Sequence, residues 1–85
     1  MEMVAMNVEN PFIPREVVEL VIRQDLPLVR AWRLYKGMTV EELARVSGLK
    51  IYEVEQLEAG DNRLSIQLEQ VASGLKLDIE QLVDL

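Results

Sequence analysis

The chain has 85 residues, of which 49% are hydrophobic and 28% charged, and its formal net charge is −6. This length is typical of one small domain. The absence of cysteine and histidine excludes disulfides, thiolate metal sites and histidine-based catalysis. No apolar run approaches the ~18 residues of a membrane-spanning helix, and the amino terminus lacks the features of a secretory signal. We therefore expect a cytoplasmic protein with no membrane partner.

The first elements are a leader and two helices. Residues 1–12 fit no helix: residues 3–8 could form a short strand that pairs across a dimer, or the segment could be a disordered leader, and we favour disorder. One helix is predicted from residue 14 or 15 to about 24 and a second from 27 to 36. Each opens with a proline, which the first turn of a helix tolerates.

Residues 37–60 predict two short helices joined by a tight glycine turn. Thr39 and Glu42 are three residues apart, the spacing of a capping box that opens a helix over 40–47. Gly48 follows as a left-handed helix end. The second helix, over 50–59, ends in the same way at Gly60.

The second of these helices has two different faces. Val54 and Leu57 are three residues apart and should face the core, whereas Tyr52, Glu55 and Gln56 should face outward. Two short helices, a glycine turn and an outward polar face are the signature of a helix-turn-helix motif, so DNA is the first partner to consider.

Two more helices are predicted after a loop at 60–64. Ser65 should cap the first, and Asp78 with Gln81 should form a capping box for the last. A chain this short often depends on a second copy for stability. We expect a homodimer formed through the amino-terminal segment or through the apolar residues of the final helix. The inward residues of the first of these helices are Leu68, Val71, Ala72 and Leu75, and the dimer residues of the last are Ile79, Leu82, Val83 and Leu85.

The stretch from 37 to 60 resembles the lambda-repressor-like helix-turn-helix family of phage repressors and small bacterial regulators. Arg33 stands where that family carries an arginine in its first helix, and Glu58 matches the carboxylate that pairs with it, which implies a structural ion pair. The implied fold is all-α: a compact five-helix domain with one extra N-terminal helix and a flexible leader. The chain would then comprise the leader at 1–12, the extra helix at 13–26 and the DNA-binding domain at 27–85.

Two shorter strings, residues 13–18 and 32–39, are similar to a subgroup that acts as antitoxins in bacterial toxin-antitoxin pairs. The resemblance as a whole implies a sequence-specific DNA-binding transcriptional regulator of the repressor type. The subgroup further implies autoregulation of its own operon and a cognate basic toxin as a protein partner.

Alignment with the family implies which residues contact DNA. Ile51, Tyr52 and Gln56 would read bases: Gln56 suits an adenine edge, Ile51 a thymine methyl group and Tyr52 either. Relatives carry a phosphate-binding glutamine at position 40. Valine has no polar side chain, so Val40 would contribute only its backbone amide. The residues assigned to the phosphate backbone are Thr39, Val40, Arg45, Lys50, Asn62 and Arg63.

The charge distribution opposes DNA binding. Residues 1–36 hold five basic and five acidic side chains, whereas residues 37–85 hold four basic and ten acidic ones. Phosphate neutralisation supplies most nonspecific affinity, and Glu53, Glu55 and Asp61 would lie near the duplex. A second function therefore stays open, namely a protein-interaction module that has lost or weakened DNA readout and docks a basic partner through its leader and first helix.

We expect no catalysis, no cofactor and no metal site. The sequence has no glycine-rich phosphate loop, no spacing that pairs two carboxylates in a cleft, and no calcium-loop spacing. Trp32 and Tyr35 are expected to lie in the core rather than to form a ligand platform.

Overall fold

The computed structural model of this protein describes residues 12–60 and 65–83, without the side chains of Ser65 and Val83. The predicted leader, apart from Phe12, lies outside these ranges, as do its alternatives of strand and disorder. The described ranges are all-helical, as predicted, and contain no strand. Their six helices are α1 (Arg15–Gln24), α2 (Leu28–Tyr35), α3 (Val40–Ser47), α4 (Ile51–Glu58), α5 (Ser65–Leu75) and α6 (Glu80–Val83).

Local hydrogen bonds set the limits of α3. The Thr39 hydroxyl accepts from the Glu42 amide at 3.0 Å, and the Glu42 carboxylate accepts from the Thr39 amide at 2.8 Å, so the predicted capping box is present. At the other end Gly48 has a φ of 71°, and the next amide, of Leu49, donates to the Ala44 carbonyl at 2.9 Å. This left-handed end turns the chain directly into α4.

The hydrophobic core receives side chains from all six helices. α3 packs against α4 and α5, and α2 packs against α1, α4 and α6. Burying each large apolar side chain stabilises the fold by about 2 kcal/mol. The core residues are Val17, Val29, Ala31, Trp32, Leu43, Ala44, Val54, Leu57, Val71, Ala72, Leu75 and Leu82. None of the described helices has the length and hydrophobicity needed to span a membrane.

Two predictions about individual residues are wrong. Tyr35 is 45% exposed rather than part of the core, because it is the last residue of α2 and its ring only covers an edge of Trp32, with ring centres 5.7 Å apart. Leu82, predicted to face a second subunit, is buried within its own subunit, and Ile79 packs against the same core. α6 therefore closes the core beside α2 with Leu82 instead of presenting this side chain to a partner.

Gly74, on α5, packs closely against Val46 and Ser47 at the end of α3. A β-carbon at this position would lie 2.8 Å from the Val46 carbonyl oxygen and 2.8 Å from the Ser47 hydroxyl oxygen. Ser47 is itself buried, and its hydroxyl makes no hydrogen bond within the described ranges. Since a carbonyl oxygen cannot swing aside as a side chain can, a larger residue at 74 must push the two helices apart.

We therefore expect Gly74→Ala to lower the free energy of unfolding by about 2 kcal/mol, because overpacking outweighs the ~1 kcal/mol by which alanine favours a helix. Urea unfolding followed by circular dichroism measures this change. Ser73→Ala is the matched control, because Ser73 is exposed on the same helix and should gain stability slightly. A stabilised Gly74→Ala protein would contradict the close approach.

Candidate nucleic-acid interface

α3 and α4 form a unit of two eight-residue helices joined by residues 48–50. The Lys50 amide donates to the Glu53 carboxylate at 2.8 Å, which satisfies one free amide at the start of α4. Val54 and Leu57 face the core, so the orientation of α4 about its own axis is fixed by burial. The opposite face of α4 is open to solvent.

The three predicted base-reading residues all lie on this open face. Ile51 is 45% exposed and Tyr52 56% exposed, and Gln56 is exposed one turn further along the helix. We define these three side chains together as the reading face. Ile51 and Tyr52 are two of the eight exposed large hydrophobic side chains in the described ranges, and their position beside Gln56 makes this face a candidate contact surface.

The predicted phosphate contacts fall into three groups. Arg45 and Lys50 are exposed and form no ion pair with any described residue. The Thr39 hydroxyl already accepts the Glu42 amide, and Val40 packs its side chain partly against the core, which leaves its backbone amide as the group of interest. The loop residues Asn62 and Arg63 lie outside the described ranges.

Arg33 and Glu58 form a buried bidentate ion pair. Arg33 Nε donates to one carboxylate oxygen at 2.5 Å and Nη2 donates to the other at 3.0 Å, and both side chains are about 90% buried. Arg33 Nη1 also donates to the Met38 carbonyl at 2.9 Å. The pair thus joins α2 to the end of α4 and to the segment before α3.

The pKa of the Arg33 guanidinium is raised above its ordinary value. Its hydrogen bond to Glu58 is the largest cause, burial acts in the opposite direction, and the negative charges of Glu58 and Glu41 raise the pKa further. Arg33 is therefore held in its charged form, as the ion pair requires.

Three of the acidic side chains on α3 and α4 are occupied by local hydrogen bonds. Glu42 caps α3 and Glu58 pairs with Arg33. Glu53 accepts from the Lys50 amide and, through its other oxygen, from the Gln67 side-chain amide on α5 at 3.0 Å. The sequence prediction treated Glu53 as a charge facing DNA and missed this role, although a glutamate three residues after the start of a helix is a capping signal.

A concave region lies between α1 and the end of α2. It is an open cleft of about 300 Å³. Its lining mixes both charges with apolar surface, and no group of three or more potential metal ligands occurs in the described ranges. The lining residues are Glu16, Glu19, Leu20, Arg23, Gln24 and Tyr35.

Comparisons with protein-family models, with curated proteins and with solved structures found no match to this chain.

Proposed function

We propose that this protein is a sequence-specific DNA-binding transcriptional regulator that acts as a repressor. The observation that carries the proposal is the reading face: Ile51, Tyr52 and Gln56 project from a helix whose other side is locked into the core. An α-helix with its side chains is about 10–12 Å across, and the major groove, about 12 Å wide, admits it.

The chemistry of the reading face suits base edges. The Gln56 amide can donate and accept at an adenine edge, and Ile51 can pack on a thymine methyl group. Tyr52 offers both an apolar ring and a hydroxyl. Lys50 directly precedes α4 and Arg45 lies on α3; both are exposed, form no ion pair within the described ranges, and can meet phosphates.

Local contacts account for only part of the electrostatic objection to DNA binding. Glu58 is neutralised by its ion pair with Arg33, whereas Glu42 and Glu53 accept hydrogen bonds from neutral amides and keep their negative charge. We expect weak nonspecific affinity and a correspondingly larger share of affinity from base contacts.

A homodimer on operator DNA belongs to this proposal, with two copies of α4 in half-sites about 34 Å apart. Because Leu82 is buried in its own subunit, the inner face of α6 is not available to a partner. We therefore expect the dimer interface to involve the amino-terminal segment. A role as the antitoxin of a basic toxin would follow from the sequence resemblance.

The alternative function is a protein-interaction module with little DNA readout. Phe12 and Ile22 favour it, because they are 74% and 69% exposed at the two ends of the α1 region, and the chain carries a net charge of −6 that suits a basic partner. In that case the reading face would be dispensable for function.

A binding assay separates the two functions. The purified protein is titrated with duplex DNA from upstream of its own gene at near-physiological salt, and Tyr52→Ala and Gln56→Ala are measured in parallel. We expect saturable binding that each substitution weakens by roughly 10-fold or more, the effect of losing one good base contact.

Gln24→Ala is the matched control, because Gln24 is an exposed glutamine on α1, away from the reading face. It should bind DNA like the unaltered protein, and circular dichroism should show all four proteins equally helical. Binding that survives both Tyr52→Ala and Gln56→Ala would contradict the reading face. No binding above that to random duplex would favour the interaction module.

A further inference from the structure

Glu55 lies among the residues of the reading face, where its charge was expected only to oppose DNA binding. It is exposed, one helical turn from both Ile51 and Tyr52 and directly before Gln56. Residues three and four apart on a helix lie side by side, so the carboxylate occupies the centre of this surface. Any major-groove contact by Tyr52 and Gln56 would bring Glu55 to the same base pairs.

The Glu55 carboxylate differs from the other two carboxylates of α4 because it accepts no hydrogen bond from a described residue. Glu53 and Glu58 accept hydrogen bonds from Lys50, Gln67 and Arg33. Glu55 forms neither a hydrogen bond through its side chain nor an ion pair with any residue in the described ranges. Its acceptor oxygens remain available to a ligand.

We infer that Glu55 is a specificity-determining residue that accepts a hydrogen bond from the exocyclic amino group of cytosine in the major groove. The inference rests on the proposed function. An ionised carboxylate only accepts hydrogen bonds, and cytosine presents an amino donor in the major groove, whereas the guanine and thymine edges present acceptors that repel a carboxylate. Adenine also presents an amino donor, but beside its N7 acceptor, a pair that suits an amide rather than a carboxylate.

The same charge makes binding more selective. Glu55 repels phosphates on every duplex, so it lowers affinity for random DNA. Only a site with an amino donor at the correct position compensates for that repulsion. A negative charge in the middle of the reading face thus raises the ratio of the affinity for the specific site to the affinity for random DNA.

Selection from a randomised duplex pool tests this inference. The unaltered protein and Glu55→Gln are each used to enrich binding sites, and the affinities of both are then measured for the enriched site, for versions with single base-pair changes, and for random duplex. The unaltered protein should require a cytosine at one fixed position and lose roughly 10-fold or more in affinity when that base pair is changed.

Glu55→Gln should lose the cytosine requirement at that position and accept adenine, because a glutamine amide both donates and accepts. It should also bind random duplex more tightly. Glu41→Gln is the matched control, since Glu41 is an exposed glutamate on α3. It removes the same charge and should strengthen binding to random duplex, yet leave the cytosine requirement unchanged.

The outcomes separate the inference from the function on which it rests. No enrichment by the unaltered protein would overturn both. Enrichment with the same base preference in the unaltered protein and in Glu55→Gln would overturn the role of Glu55 and leave the DNA-binding function standing. Loss of the cytosine requirement in Glu41→Gln as well would assign the effect to net charge and overturn direct readout.

Discussion

Replacing Arg33 with methionine is expected to lower the free energy of unfolding by about 3–5 kcal/mol, because it leaves the Glu58 carboxylate buried without its partner. It also removes the donor to the Met38 carbonyl. A small domain has a total stability of about 5–15 kcal/mol, so this variant should be partly unfolded at moderate urea concentrations. Urea unfolding followed by circular dichroism measures the loss.

A double-mutant cycle separates the ion pair from simple loss of packing. Glu58→Met should be destabilised to a similar degree, and the double variant should be more stable than either single variant, because no unpaired charge remains buried. Arg15→Met is the matched control: Arg15 pairs with Glu19 at 3.3 Å, but on the surface, so its loss should change stability by less than about 0.5 kcal/mol. Additive losses in the cycle would contradict a coupled pair.

Trp32→Ala is expected to lower the free energy of unfolding by about 3–5 kcal/mol, because it empties the core between α2 and α6. The indole nitrogen also donates to the Gln81 carbonyl at 2.7 Å. The Gln81 side chain in turn donates to the Phe12 carbonyl and accepts from the Asp78 amide. Loss of Trp32 should therefore loosen both α6 and the segment that precedes α1.

Trp32→Phe distinguishes packing from hydrogen bonding. It keeps most of the apolar ring but leaves the Gln81 carbonyl without its donor, so a smaller loss of about 1–3 kcal/mol is expected. Circular dichroism is the required readout, because Trp32 is the only tryptophan and its fluorescence disappears with it. A loss below about 1 kcal/mol for Trp32→Ala would show that α6 is not held by this side chain.

The positions of helices were predictable from the sequence wherever neighbouring residues determine where a helix begins and ends. α3 runs over 40–47 as expected, because the Thr39–Glu42 box starts it and Gly48 ends it. The inward and outward faces of α4 also follow from spacing alone, since burial of Val54 and Leu57 fixes the opposite face.

Tertiary contacts account for what the sequence did not reveal. Tyr35 has the helical spacing of a buried residue, but spacing does not tell how far the neighbouring helices cover the last turn of α2, where its ring is exposed. The clash that a side chain at Gly74 would make depends on how closely α3 crosses α5. The bond from Gln67 to Glu53 likewise joins different helices, so no local pattern signals it.

We propose that α4 reads DNA sequence, and this is tested most directly by the ratio of the protein's affinities for an enriched duplex and for random duplex at near-physiological salt. Specific regulators bind their own sites roughly 10³-fold or more tightly than random DNA. We expect a ratio in this range, reduced by Tyr52→Ala and by Gln56→Ala. Equal affinities for the two duplexes, in a protein that circular dichroism shows to be folded, would contradict the claim.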